Sequence, residues 1–444
     1  MNGAGAAVDE DSTRSGDRRV GQSWYVIGGP VLLAAAVRIL YWVTVTPNWR
    51  PDSDADQYLR LARNLVAGEG YALVFPELEM HATAFRPPLY PFVLAGPSWL
   101  FGPDAIWPAR VTSLLLSLGV VALTVVFVRR IAGNLAAVVA GCAVALMPSL
   151  LANDTITLSE PLGLLLILAV LIALDSRRPI WAGLAAGALV LTRPNAYLVV
   201  LIAAAFIWRY VGWKKALMCL ACAAVVVAPW LVRNKVQVGT WSLTTSQGFT
   251  LAAIYAPQAQ EQATFVDPVF DESYDGSDFR VLQFDEAQWS SELTAHALSG
   301  VREDPGYVFN VISSNVRAFL ELSGSNNDFA ERIDGRNLDF RDATLPLFYA
   351  FLLAGMTGIG TRLSDRRMWP AYVVVGQFVL LSLLTVSPPR LRAPFDLLLC
   401  IGVGLLVQAL DDLRRRRAAS LVPSGEPDGQ DQLDASDPGR AAVR

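Results

Sequence analysis

Apolar residues in this chain fall in long continuous runs, not in strict alternation. The runs cover residues 24–45, 106–128, 131–151, 156–174, 180–191, 196–208, 216–232, 345–360, 368–386 and 393–410. A helix needs roughly 17–25 apolar residues to cross a hydrocarbon core of about 30 Å. A backbone in lipid must satisfy its own hydrogen bonds, which leaves helices or a closed barrel. Continuous runs exclude the alternating barrel pattern. The pattern therefore predicts an all-α polytopic membrane protein of about ten transmembrane helices. The fifth and sixth runs are short and meet at Arg193-Pro194, so one kinked helix is the alternative there.

Basic residues sit beside these runs and orient them. Arg14, Arg18 and Arg19 precede the first run, and Arg129-Arg130 follow the second. Arg177-Arg178, Lys214-Lys215, Arg362 with Arg366-Arg367, and Arg414 to Arg417 follow the fourth, sixth, eighth and tenth. Cytoplasmic loops carry the excess of Lys and Arg. Ten spans put every cluster on that side, with both termini cytoplasmic. Arg177-Arg178 and Lys214-Lys215 share a side only if two passes separate them, which favours two helices at Arg193-Pro194.

Two long polar segments, 46–105 and 233–344, then lie outside the cytoplasm. The first begins with an amphipathic pattern, Tyr58, Leu61, Ala62, Leu65 and Val66, which predicts a helix on the membrane surface ended by Gly68. The second predicts a small folded subdomain with a helix near 305–322, capped by Asp304 with Pro305 in its first turn. Residues 1–23 and 411–444 read as cytoplasmic, disordered termini. The first apolar run is too long for a cleavable signal. No internal repeat of the kind common in transporters is present.

Of the 444 residues, 53% are hydrophobic and only 17% charged, against about 25% charged in a soluble domain. The basic charge borders the spans, so it makes no case for nucleic acid. Cys142, Cys219, Cys222 and Cys400 lie inside apolar runs and read as packing residues.

Candidate chemistry gathers at the outer ends of the runs. Asp52, Asp54 and Asp56 alternate just after the first span. A carboxylate there can take the proton of an attacking hydroxyl or amine. Arg86-Pro87-Pro88 follows, and its guanidinium suits a phosphate. Arg38, Asn153, Asp154, Glu160, Arg193, Arg233, Arg390 and Arg392 lie at or near outer ends of other spans. Ionisable groups at membrane depth are costly and point to function. No His/Cys cluster predicts a tightly held metal, since His81 and His296 are the only histidines. No cofactor is predicted; a hard cation held by the three Asp is the alternative.

Four motifs then resemble a known family. Asp54-Ala55-Asp56-Gln57-Tyr58 with Gly68-Glu69-Gly70, Arg86-Pro87-Pro88-Leu89-Tyr90-Pro91, Leu191-Thr192-Arg193-Pro194 and Pro229-Trp230-Leu231-Val232-Arg233-Asn234 are similar to motifs of GT-C integral-membrane glycosyltransferases. The likeness is to family 39, the protein O-mannosyltransferases and the aminoarabinose transferase. It implies a GT-C catalytic domain over 24–410, with juxtamembrane helices in the first outer loop. It implies an inverting transfer of sugar from a polyprenyl-phosphate carrier to an extracytoplasmic acceptor, at the plasma membrane. Asp54 then matches the base, with Asp52 and Asp56 in reserve. Arg86, Arg390, Arg392 and Arg233 would hold the donor phosphate, and Tyr58, Glu160, Arg193 and Asp154 would line the substrate pocket. Ala55 stands where the family often has Glu, and the late Arg-Tyr-x-x-Pro element lacks its Tyr. A transporter or flippase of lipid-linked sugars is the alternative, and a non-catalytic scaffold a third reading. Nearly uncharged helix midplanes favour interfacial chemistry over transport.

Overall fold

This computed structural model describes residues 10–74, 80–274, 285–324, 328–386 and 389–420, with the side chains of 10–24 left out. Most of these residues are helical, as continuous apolar runs require. Helix α1 (Glu10–Thr44) starts inside the polar N-terminal segment, and the last helix runs on to Ser420. Both extend into stretches that composition reads as disordered. Propagating a helix is far easier than nucleating one, and the apolar run supplies the nucleus. Residues 1–9 and 421–444 of those predicted tails lie outside the described residues.

In the first polar segment, 46–105, α2 (Ser53–Ala67) and α3 (Leu89–Phe101) flank a two-stranded hairpin, β1 (Ala72–Leu73) and β2 (His81–Ala82). The strands pair Ala72 with Ala82 and Leu73 with His81. Helix α2 ends at Gly68 with φ 84°, the left-handed cap its sequence predicts. It buries Ala55, Tyr58, Leu61 and Ala62, and Tyr58 meets Tyr90 of α3 edge to face at 5.1 Å. The helix is thus packed into the protein on its apolar face.

The second and third apolar runs form α4 (Trp107–Leu146), broken at Gly133 by φ 89° and ψ −175°. Only glycine adopts that backbone readily. The break reverses the chain, since a Cβ on Gly141 would stand 2.5 Å from Cγ2 of Val125 on the other arm. Helix α4 is therefore a hairpin of two arms, matching two runs in the sequence.

The bundle continues with α5 (Pro148–Asp154), α6 (Glu160–Asp175), α7 (Pro179–Thr192), α8 (Tyr197–Tyr210) and α9 (Trp213–Gln237). A short turn, Pro194–Ala196, separates α7 from α8. These two helices pack on each other and both on α9. One kinked helix could not do that, so two helices stand at Arg193-Pro194.

The large polar segment holds α10 (Ser246–Tyr255), α11 (Pro257–Gln262), α12 (Glu286–Glu303), α13 (Tyr307–Phe319) and α14 (Asp328–Ile333). Its own core is built on Ala252, Tyr274, Trp289 and Leu293, and Phe85 of the first polar segment joins that core. Gly306, not Asp304, takes the N-cap position of α13; the Asp304 carboxylate turns just before it, accepting from Gly306 N at 2.9 Å and Tyr307 N at 3.2 Å. Pro305 precedes the first helical residue instead of occupying it, because this carboxylate turn takes up the two residues between.

Helices α15 (Leu338–Gly360), α16 (Trp369–Leu384) and α17 (Ala393–Ser420) complete the chain. Among the described residues, five helical stretches are long and apolar enough to cross a membrane: Tyr25–Thr44, Trp107–Leu146, Trp213–Gln237, Leu338–Gly360 and Pro389–Ser420. The chain is an all-α polytopic membrane protein.

Helices α15 and α17 touch backbone to backbone. A Cβ on Gly358 would lie 1.8 Å from the Gly402 carbonyl oxygen, and one on Gly402 would lie 2.2 Å from that of Gly355. Small residues allow such approach where no hydrophobic effect drives association. Gly402→Val is therefore expected to lower unfolding stability by about 3 kcal/mol, at the upper end of overpacking costs. A melt in detergent indistinguishable from wild type would show that the helices can part freely.

One end of the bundle gathers basic residues. Arg367 Nη2 lies 2.8 Å from Asp175 Oδ1, and Arg130 Nη1 lies 3.8 Å from Asp175 Oδ2. Three chain segments whose Arg clusters predict a common side meet there. The acids and arginines described next lie at the ends of these helices farthest from that cluster.

Candidate active site

Asp52, Asp54 and Asp56 are separated by the start of α2. Asp52 is the N-cap, exposed, with Oδ1 accepting from Ser53 N at 2.7 Å. Asp54 lies in the first turn and faces the bundle. Two residues on, about 200° around a helix, Asp56 faces outward and pairs with Arg60 at 2.6 Å. Only Asp54 of the three enters the interior. The structure thus gives Asp52 a capping role and Asp56 a surface ion pair, because helical geometry cannot turn all three to one site.

Asp54 lies between two guanidinium groups. Arg86 Nη2 pairs with its Oδ1. Arg390 Nη2 donates to its Oδ2 at 2.7 Å. Arg86 is fixed further by Gln57, whose Oε1 accepts from its Nε at 2.5 Å, and by the Phe85 ring at 5.0 Å. Tyr71 OH donates to the Arg86 carbonyl at 3.0 Å and holds that backbone. The strand end before it is anchored by Glu286 of α12, which accepts from Ala84 N at 2.8 Å and from the Thr245 hydroxyl. Arg390 comes from the short turn Pro389–Arg392 that opens α17. Residue 388 of the motif around it lies outside the described residues.

A further acid, Asp334, follows α14. Its Oδ2 lies 3.0 Å from Arg390 Nε, so Arg390 is held between two carboxylates. The side chains of Asp54 and Asp334 are only 16% and 14% exposed, so their charges are poorly screened by water. Next to them Glu160, the first residue of α6, pairs with Arg193 at 3.0 Å. The other oxygen of Glu160 is buried without a hydrogen-bond donor. Tyr58 OH donates to Ser159 Oγ at 3.4 Å beside it.

The electrostatics separate the two aspartates. Burial pushes the Asp54 carboxyl up, but the guanidinium groups of Arg390 and Arg86 more than reverse this and hold it well below the usual carboxylate range. Burial dominates at Asp334; Arg390 offsets it in part, while Asp54, Glu160 and Glu331 add to the rise, and the carboxyl is pushed up to about 7. Burial, and then the Asp54 charge, raises the Tyr58 phenol and keeps it protonated. The arrangement offers one firmly ionised carboxylate, two guanidinium groups beside it and a second acid that titrates near neutrality.

Other residues that the sequence singles out do not reach this cluster. Arg233 donates to the carbonyls of Thr83 at 2.5 Å and Tyr71 at 2.7 Å and lies over the Trp230 ring, so it staples the first polar segment to α9. Arg392 is buried against Asp396 at 2.8 Å, Glu321 at 3.0 Å and the Phe348 ring, so its donors are used inside the fold. Asp154 accepts from Arg38 Nε at 2.9 Å, and both are buried. Arg233, Arg392 and Asp154, expected at the phosphate or in the pocket, instead make structural contacts away from Asp54 and Arg390, because their polar groups are taken up by carbonyls and charges inside the fold. Asp334 carries no signal in the sequence beyond being one acid among many in an acidic segment.

No protein-family model matches the sequence, and comparison with curated proteins gives no match. Solved structures do match. One is the archaeal oligosaccharyltransferase AglB from Archaeoglobus fulgidus in complex with an inhibitory peptide and a dolichol-phosphate, with TM-score 0.52, 14% identity and 90% of this chain covered. The apo form of the Archaeoglobus fulgidus oligosaccharyltransferase matches with TM-score 0.50, 15% identity and 89% coverage. The chain spans about half the length of these two structures, 52% and 51%. The apo structure of ArnT from Cupriavidus metallidurans is similar over 89% of this chain and 81% of its own, with 16% identity and TM-score 0.39. This chain thus shares its fold with the archaeal oligosaccharyltransferase.

Proposed function

We propose that this protein is an inverting glycosyltransferase that moves a sugar from a polyprenyl-phosphate carrier to an extracytoplasmic acceptor. One observation carries the reading: Asp54, firmly ionised, lies within hydrogen-bonding reach of two arginines at the end of a membrane bundle. The fold shared with the archaeal oligosaccharyltransferase supports it, as does the dolichol-phosphate in that protein's structure. The positive-inside rule supports an extracytoplasmic site, since the Arg130–Asp175–Arg367 cluster lies at the other end.

In this mechanism the acceptor's O–H or N–H proton passes to Asp54 as its heavy atom bonds to the anomeric carbon. Attack comes from the side opposite the phosphate, so the configuration inverts. The bond from the anomeric carbon to phosphate oxygen breaks, and its electron pair leaves with the phosphate. Arg86 and Arg390 meet the charge that develops there. Tyr58, Glu160 and Arg193 flank the sugar side of the pocket.

The reading is tested by extracting the lipid that purifies with the protein and identifying it by mass spectrometry. A polyprenyl-phosphate monosaccharide, consumed on addition of acceptor, is the expected result. Transbilayer movement of that lipid without transfer would make the protein a transporter instead.

A further inference from the structure

Arg390 has two carboxylate partners and a phosphate would make a third. Asp54 reaches its Nη2 and Asp334 its Nε. The four charges of Asp54, Asp334, Arg86 and Arg390 sum to zero, and Glu160 with Arg193 forms a second neutral pair alongside. An anionic phosphodiester entering this set leaves it one negative charge in excess. In a poorly screened site that excess is expensive, and an acid that takes up a proton removes it.

The two acids are not equally able to do so. Asp54 is gripped by two guanidinium groups and sits in the first turn of α2, where the helix dipole favours its charge. Asp334 contacts a single guanidinium, and Arg390 Nε makes the ion contact without a well-aligned hydrogen bond. The groups facing Asp334 are Arg390 from the turn before α17, Asp54 from α2, Glu160 from α6 and Glu331 from α14, which Asp334 follows. Three of these four are acids.

We propose that Asp334 is the exchangeable counter-ion of Arg390, neutralising it while the site is empty and taking up one proton when the phosphate group of a lipid carrier takes its place. This rests on the lipid-phosphate donor of the proposed function. Asp334 is then a positioning residue for Arg390. It couples donor binding to proton uptake, and its location near neutrality makes that coupling active in the working range. The sign follows directly. Below about pH 7 the acid already carries its proton in the empty site, and donor binding is at full strength. Above it, each further pH unit weakens binding by up to about tenfold, until the bound-state acid also loses its proton.

The probe is decaprenyl methyl phosphate, a lipid phosphodiester with one charge that does not titrate in this range. For the full-length protein in nanodiscs, its Kd is expected to rise about tenfold between pH 6 and pH 8. In Asp334→Asn the Kd at pH 8 should match the wild-type value at pH 6 and barely change with pH. Calorimetry of the wild type at pH 8, in two buffers of different ionisation enthalpy, should show about one proton taken up per lipid bound. That measurement needs no variant. An equal pH slope in Asp334→Asn, or no proton uptake by the wild type, overturns the inference while leaving the lipid-phosphate site in place. No binding of the lipid at any pH overturns the donor reading and this inference with it.

Discussion

Asp54→Asn is expected to lower the rate of sugar transfer by about 10²–10⁴-fold, the usual contribution of a general base. The amide keeps an oxygen facing Arg390 and Arg86 but cannot accept the acceptor's proton. It also removes an anion that competes with phosphate for both guanidinium groups. Binding of decaprenyl phosphate should therefore hold or tighten while turnover collapses. That split separates a base from a residue that merely keeps the site folded, since a damaged site loses both. Asp56→Asn breaks only the surface pair with Arg60, worth about 0–1 kcal/mol, and is expected to keep its rate. The reading fails if Asp54→Asn turns over normally, or if Asp56→Asn is the dead variant.

Arg38→Met is expected to destabilise the protein by about 3–5 kcal/mol, because it leaves Asp154 buried and unpaired. Arg38 is fully buried, with Asp154 on its Nε at 2.9 Å and the Ala145 carbonyl on Nη1 at 3.3 Å. The pair joins α1 to α5 behind the site. Replacing both residues, Arg38→Met with Asp154→Leu, should recover most of the loss, because no lone charge then remains. Unfolding of the three variants in mixed micelles measures this, and the double variant should keep transferring sugar. A double variant as unstable as the single, or stable yet inactive, would give the pair a role beyond packing.

How much of this could be read from the chain alone depends on the range of each signal. Apolar runs, the Gly68 cap and the helical face of Tyr58, Leu61 and Ala62 are local patterns, and each corresponds to an observed element. The break at Gly133 falls two residues inside the 131–151 run, close to its boundary with the run before it. The motifs containing Asp54 and Arg86 were visible for the same reason, since they lie in one outer segment with distinctive neighbours. Choosing Asp54 over Asp52 and Asp56 needed the first residue of α2, because moving that start by one turns a different acid inward.

The arginines show where local pattern stops. Arg390 and Arg392 occupy one turn and look alike in sequence. Yet one faces Asp54 while the other is enclosed by Asp396, Glu321 and Phe348. Arg233 and Asp154 also stand at span ends, and their partners are carbonyls or charges distant in sequence. Asp334 was invisible beforehand, because only the fold brings α14 against the start of α17. Helix length and periodicity are properties of neighbouring residues, so the order of residues specifies a helical membrane bundle with acids and arginines at the ends of its spans. The tertiary structure alone decided which of those charges meet, because an ion pair across the bundle depends on the path of the chain between its two residues.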